Sequence, residues 1–432
     1  MSKPPTRVPS PGVIARNLAI ALVALALGFW AFALLLGTVN SVSDSYEAMS
    51  RDVAESNDFP MFYAAGENVI SADREHSYEK PFIVESILRQ WTDPQSEEAQ
   101  ELLPWLRYYN PPFYLFALSP LTLLDMHEAF IATVAINVVA LAVLLFLIGV
   151  ALEWRKKTVF FVALATLGFL PLTPTIFHGQ PTLLISMMVL AAFLLAQRGK
   201  TTIASLLVAL CTAKPQLAIA AALPLVRQCS RAVTPLAIIG LTLTLAPFIF
   251  LGAGALYDYV LLVFGRGGDD LAEADYASHV LSWPGFMVAL TGSLQPIAAA
   301  LLSVVTLGLL ATVLRHGDRF LTWPASIIAL LTVVPHSHPQ DWMLAVPAAV
   351  ILLARPMHTK VHLVTMALLA MTFIAVNSWM ISSGIVYDGG RAFYAPTPMA
   401  FALIAWCALL PVVEGRAKVI GTETGLAAAS AA

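Results

Sequence analysis

Charge is the scarce ingredient of this chain. Only 12% of its residues are Asp, Glu, Lys or Arg, whereas 58% are hydrophobic. Soluble domains carry about 25% charged residues, so a soluble globular protein of ordinary surface is excluded. Cysteine is almost absent. Cys211, Cys229 and Cys407 lie in or beside apolar segments, which excludes a disulfide framework. Zinc-type Cys/His spacing is missing, and neither a metal nor an organic cofactor is expected. A basic stripe interleaved with aromatics is missing too, so no nucleic-acid partner is expected. No internal repeat is visible.

What the chain does have is long apolar runs. The first, Leu18–Val39, follows Lys3, Arg7 and Arg16. It exceeds the 7–15 residues of a cleavable signal core and has the length of a full span, so it is read as a retained helix. Further runs are His127–Leu152, Val159–Pro174, Thr182–Gln197, Thr201–Ala213, Gln216–Val226, Ala232–Leu251, Gln295–Leu314, Phe320–Val334, Trp342–Ala354, Val361–Trp379 and Met399–Val413. Several fall short of the roughly 20 residues that a perpendicular span needs. Such runs either extend into polar flanks or are broken helices buried in protein. The expectation is an all-α polytopic membrane protein with about twelve transmembrane helices.

Basic residues orient the map. With the N-terminus in the cytoplasm and strict alternation, the inner segments hold the N-terminal cations, Arg155–Lys157, Arg198 and Lys200, Arg227 and Arg231, Arg315 and Arg319, Arg355 and Lys360, and Arg416 and Lys418. Every short inner loop then carries at least two, as the positive-inside rule expects. Residues 1–17 form a cytoplasmic N-terminal segment, 18–413 a membrane domain and 414–432 a cytoplasmic tail. The protein is expected to be multi-pass in the cell (inner) membrane, among membrane lipids, with both termini cytoplasmic. The one long hydrophilic block, residues 40–110, becomes the first extracytoplasmic loop. Active sites at such a face are built from loops held by helices.

Five outer stretches carry chemistry. Asp58 precedes the aromatic segment Phe59–Gly66, where an acid is either a helix cap or a reacting group. Tyr109 and Asn110 precede Pro111-Pro112, a pair that opens a helix at its first turn. The run after it, to Leu124, is too short to span and suits a helix lying in the interface. His178-Gly179-Gln180-Pro181 is at least a turn, and its polar side chains would face the outer surface. Lys214, between Ala213 and Pro215, is the sharpest anomaly. It is a lysine between two apolar runs, away from the cytoplasmic cations, and burying such a charge costs roughly 2.5 kcal/mol or more at a helix centre. It either snorkels to the interface or holds an anion. Pro335–Trp342 contains His336, His338 and Asp341, whose spacing is unlike a helical zinc pair. Arg391, in Tyr387–Arg391, could meet an anion.

Taken in order, these stretches resemble glycosyltransferase family 87 of the GT-C superfamily. The resemblance is carried by Asp58–Gly66, Asn110-Pro111-Pro112, Gly179-Gln180, Lys214-Pro215 and His336–Pro347. It implies a GT-C-like bundle and a membrane glycosyltransferase similar to the polyprenol-phosphate-mannose-dependent mannosyltransferases. A hexose, mannose first, would move with inversion from a polyprenyl-phosphate sugar donor to a lipid- or glycan-linked acceptor at the extracytoplasmic face. Asp58 would be the base and Lys214 the cation at the leaving phosphate. Gln180, His178, Tyr109, Asn110, His338, Asp341 and Arg391 would bind donor or substrate. One departure stands out: Gln340-Asp341 occupies the place where the mannosyltransferase branch has adjacent His residues. A transporter or lipid flippase is the alternative class. It is disfavoured by the absence of paired intramembrane acids and of half-to-half repeats.

Overall fold

The computed structural model describes residues 11–50, 58–79, 82–83, 85–87, 108, 110–262, 280–382 and 396–430. Its described residues form an all-helical protein. Helix α1 (Pro11–Ser50) continues well past Val39, so residues 40–50, expected to open a loop, are helical. After it come α2 (Phe59–Ile70), α3 (Pro112–Leu118), α4 (Met126–Ala151), α5 (Lys156–Leu167), α6 (Leu172–Phe177) and α7 (Thr182–Gln197). The middle contains α8 (Thr201–Leu210), α9 (Pro215–Gln228), α10 (Val233–Leu245), α11 (Phe248–Leu261) and α12 (Trp283–Thr291). The chain ends with α13 (Pro296–His316), α14 (Arg319–Val333), α15 (Ala345–Ala354), α16 (Thr359–Ser382) and α17 (Pro396–Ser430).

Among these, five segments are long and apolar enough to cross a bilayer: Asn17–Glu47, Met126–Ala151, Pro296–His316, Thr359–Ser382 and Pro396–Glu414. Helices α10 and α11 would make a sixth, bent by 79° at the break between them. Among the described residues, five or six candidate spans thus stand against the expected count of about twelve. Most of the other apolar runs are helical too, but shorter, and some of the short ones are deeply buried. Helix α7 has 16 residues, which rise about 24 Å against a hydrocarbon core of about 30 Å. Helix α14 buries residues from Leu321 to Thr332 almost without interruption. By contrast, only 6% of the most apolar window of α1 is buried, with Leu25 and Phe29 among its most exposed side chains. The short helices α7, α9, α14 and α15 thus pack in the core, whereas α1 is nearly all exposed apolar surface, where every backbone polar group must be satisfied within the helix.

Apolar side chains of α4, α7, α8, α9, α14 and α15 fill one continuous core, which includes the fully buried Trp323 and Trp342. Trp379 of α16 closes one side of it. The run Val159–Pro174 is not one helix but breaks after Leu167. The exposed backbone there is satisfied by side chains from outer helices. Gly168 O accepts from Trp30 Nε1 at 2.7 Å and from Asn377 Nδ2 at 3.1 Å. Asn377 Oδ1 accepts from Leu170 N–H at 2.9 Å. Irregular backbone at membrane depth is tolerated only when so paired. Beside the core, α2 packs on α3 at Gly66, where a Cβ would lie 3.2 Å from the Leu118 carbonyl carbon. At the turn between α15 and α16, Arg355 binds Glu414 through two 2.8 Å bonds and Asp318 through one. That fork ties the C-terminal end of α15 to the start of α14 and to α17 at one end of the bundle.

Candidate active site

Asp58 stands at the start of α2 in a helical backbone conformation (φ −75°, ψ −16°), yet its carboxylate caps nothing. It accepts instead from Gln180 Nε2. The Asp58 N–H donates to His178 Nδ1 at 3.4 Å. Accepting there requires Nδ1 to be bare, which leaves the ring proton on Nε2. Burial pushes the His178 imidazole below its ordinary value; Lys214 adds to this and Asp58 opposes it.

The His178–Gln180 turn follows from local sequence. Helix α6 ends at His178, and the Gln180 N–H returns to Thr175 O at 3.0 Å. Gly179 takes the left-handed conformation (φ +65°) that suits a residue without Cβ. A Cβ there would lie 2.9 Å from the Phe59 ring. The turn and the start of α2 therefore press against each other, which seats Gln180 on Asp58. Gln180 Oε1 is buried without a hydrogen-bond partner among the described residues.

Lys214 is extended (φ −127°, ψ 95°), as a residue before proline prefers, and Pro215 opens α9 behind it. Its ammonium does not snorkel. Nζ lies 2.5 Å from Asp341 Oδ1, and both side chains are buried. Asp341 sits in the 3₁₀ helix Pro339–Leu344, where its carboxylate accepts from the His338 N–H at 3.3 Å while the His338 imidazole accepts from the Asp341 N–H. The Thr182 hydroxyl donates to Asp341 Oδ1 at 3.4 Å. Burial is the main force pushing His338 down to about 4; Lys214 and His336 act in the same direction, and Asp341 and Asp58 oppose them. Both imidazoles therefore feel the Asp58 carboxylate and the Lys214 ammonium together. Asp58, His178 and Gln180 thus form one hydrogen-bonded group, and Thr182, Lys214, His338 and Asp341 a second, each drawn from distant parts of the sequence.

Asn110 has a different place. Its amide donates to Ala213 O at 2.9 Å and its carbonyl accepts from Tyr78 OH at 3.0 Å. It braces the backbone one residue ahead of Lys214. Tyr109 and Arg391 lie outside the described residues. Two contributors escaped the reading of the sequence. Thr182 reaches Asp341 from the first turn of α7, a position that Gln180-Pro181-Thr182 could have suggested. Thr175 donates to Gln340 O at 3.4 Å, from just past the run Val159–Pro174.

The fold defines a polytopic integral membrane protein with two carboxylates, a lysine and two imidazoles at its helix ends. A model of glycosyltransferase family 87 matches residues 108–337, more than half of the chain, and the protein belongs to that family. It is a glycosyltransferase, which sets aside the transporter and flippase alternative. The match includes Asn110, His178, Gln180 and Lys214; Asp58 precedes it and Asp341 follows it. No curated protein and no solved structure matches the chain.

Proposed function

We propose that this glycosyltransferase moves a hexose, mannose first, from a polyprenyl-phosphate sugar to a lipid- or glycan-linked acceptor at the extracytoplasmic face, inverting the anomeric centre. The observation that carries the reading is a carboxylate, Asp58, bound by Gln180 beside His178, together with a buried lysine, Lys214, bound at Asp341 beside His338. In the reaction, Asp58 takes the proton of the acceptor hydroxyl as its oxygen attacks the anomeric carbon. The bond from that carbon to the phosphate oxygen breaks on the opposite face. Negative charge grows on the leaving phosphate, and a fixed cation such as Lys214 stabilises it best where water is excluded. Gln180 aims the Asp58 carboxylate, and the His178 Nε2–H is a donor free of its own backbone contact. The lipid tail of the donor would lie among the helices, which is a reason for the enzyme to be embedded.

Purified protein incubated with a panel of polyprenyl-phosphate hexoses tests this. Transfer from the mannosyl donor, with the product anomer inverted, is the expected result. Activity with nucleotide sugars alone would overturn the donor assignment.

A further inference from the structure

The Lys214 ammonium is already occupied. Asp341 neutralises it at 2.5 Å, with 10% and 1% of the two side chains exposed. The carboxylate is the fixed member of the pair. The Thr182 hydroxyl and the His338 N–H donate to it, and the Asp341 N–H is itself bound to the His338 imidazole. The lysine reaches it along a flexible four-carbon stem. The protein thus supplies, from residue 341, the anion that a phosphate would otherwise bring.

We propose that Asp341 is a positioning residue that holds Lys214 in the empty site and competes with the phosphate for it, weakening retention of the lipid phosphate product more than binding of the donor. The inference rests on reading Lys214 as the phosphate contact. A buried lysine without a partner would be costly, so Asp341 holds it in place before the donor arrives. Once the donor binds, two anions share one ammonium. The donor phosphodiester carries a single negative charge. Cleavage of its sugar bond leaves a phosphate monoester, whose second ionisation near pH 6 brings it towards two. Repulsion by the fixed Asp341 carboxylate therefore grows as the reaction ends, which favours release of the product.

The test uses the full-length protein in detergent, with a short-chain prenyl monophosphate as the probe and the matching prenyl alcohol as neutral control. Asp341→Asn should bind the monophosphate about tenfold more tightly or better, the lower end of a charge-assisted contact, with alcohol binding unchanged. Its donor KM should fall less than the monophosphate inhibition constant, and its kcat should fall as release slows. Lys214→Ala should weaken monophosphate binding, and Lys214→Ala/Asp341→Asn should recover part of that loss because the unpaired carboxylate has gone. This second comparison decides the matter even if Asp341→Asn alone folds poorly. Equal monophosphate affinity in Lys214→Ala and the double variant, or weaker binding in a well-folded Asp341→Asn, would overturn the proposal. Unchanged binding in Lys214→Ala would instead overturn the reading of Lys214 beneath it.

Discussion

Asp58→Asn separates two accounts of one carboxylate. Asp at the start of a helix ordinarily caps it, and loss of a cap costs about 1 kcal/mol. Here the carboxylate makes no cap hydrogen bond, so the substitution removes none. Asn keeps the size of the side chain and an oxygen able to accept from Gln180 Nε2. The change replaces a charge-assisted hydrogen bond by a neutral one, a difference of roughly 1 kcal/mol, partly offset because a half-buried charge disappears. Thermal unfolding in detergent should therefore shift by no more than about 2–4 °C. Transfer is another matter. Asn cannot take a proton, and positioned general bases contribute on the order of 10²–10⁴-fold. The assay is sugar transfer from a polyprenyl-phosphate donor, compared between preparations that are equally monodisperse, with donor binding measured alongside. The expected variant folds, binds donor and transfers about 10²-fold more slowly or worse. Transfer within about threefold of the unaltered protein would refute Asp58 as the base, since even the low end of that range exceeds it.

Gly179→Ala forces a left-handed Ala into the Phe59 ring and the Thr133 methyl, 2.9 and 3.3 Å from the new Cβ; beyond the roughly 1–2 kcal/mol of backbone strain, it should unseat Gln180 from Asp58 and lower transfer. Gly199→Ala has a similar φ of +71° with nothing within 4 Å of the new Cβ, so it should lose stability to the strain alone and keep its activity; equal loss of transfer in both would refute the role of the turn. His338 sits at about 4 in the folded protein against an ordinary 6.5, so the unfolded chain binds the extra proton. Its contribution to stability is complete above pH 6.5 and declines as pH falls towards 4, by up to about 1.4 kcal/mol per pH unit. Melting curves across that window should flatten in His338→Asn, and an unchanged slope would reject a neutral buried imidazole. In a cysteine-free background, Ala72→Cys should react with an impermeant thiol reagent in intact cells and Thr359→Cys only after permeabilisation; the reverse pattern would invert the membrane orientation and the reaction face with it.

Helix content was legible in the sequence because it is a local property. In lipid the backbone must bond within its own segment, so an apolar run is nearly a helix by definition. Thr182–Gln197 matches α7 residue for residue, and His127–Leu152 matches α4 to within one residue at each end. The special backbone positions were local as well: proline opens α3 and α9, and Gly179 makes its turn. Which runs cross the bilayer was not local. The length of α7 or α14 says only that it is short; its burial comes from neighbours elsewhere in the chain. Nor could the break after Leu167 be foreseen, because the groups that make it tolerable, Trp30 and Asn377, lie far away on α1 and α16.

The candidate site divides along the same line. By itself the sequence determined that a lysine lies between apolar runs at residue 214, and that acids and imidazoles cluster at turns between such runs, since charge in an apolar context stands out without any fold. Only the tertiary structure decided that Asp58 is bound by Gln180 instead of capping its own helix, that Asn110 braces backbone, and that Lys214 is held by Asp341. Those pairs are separated by 122, 103 and 127 residues. No periodicity spans such distances, and only the packing of helix ends selects which polar groups meet.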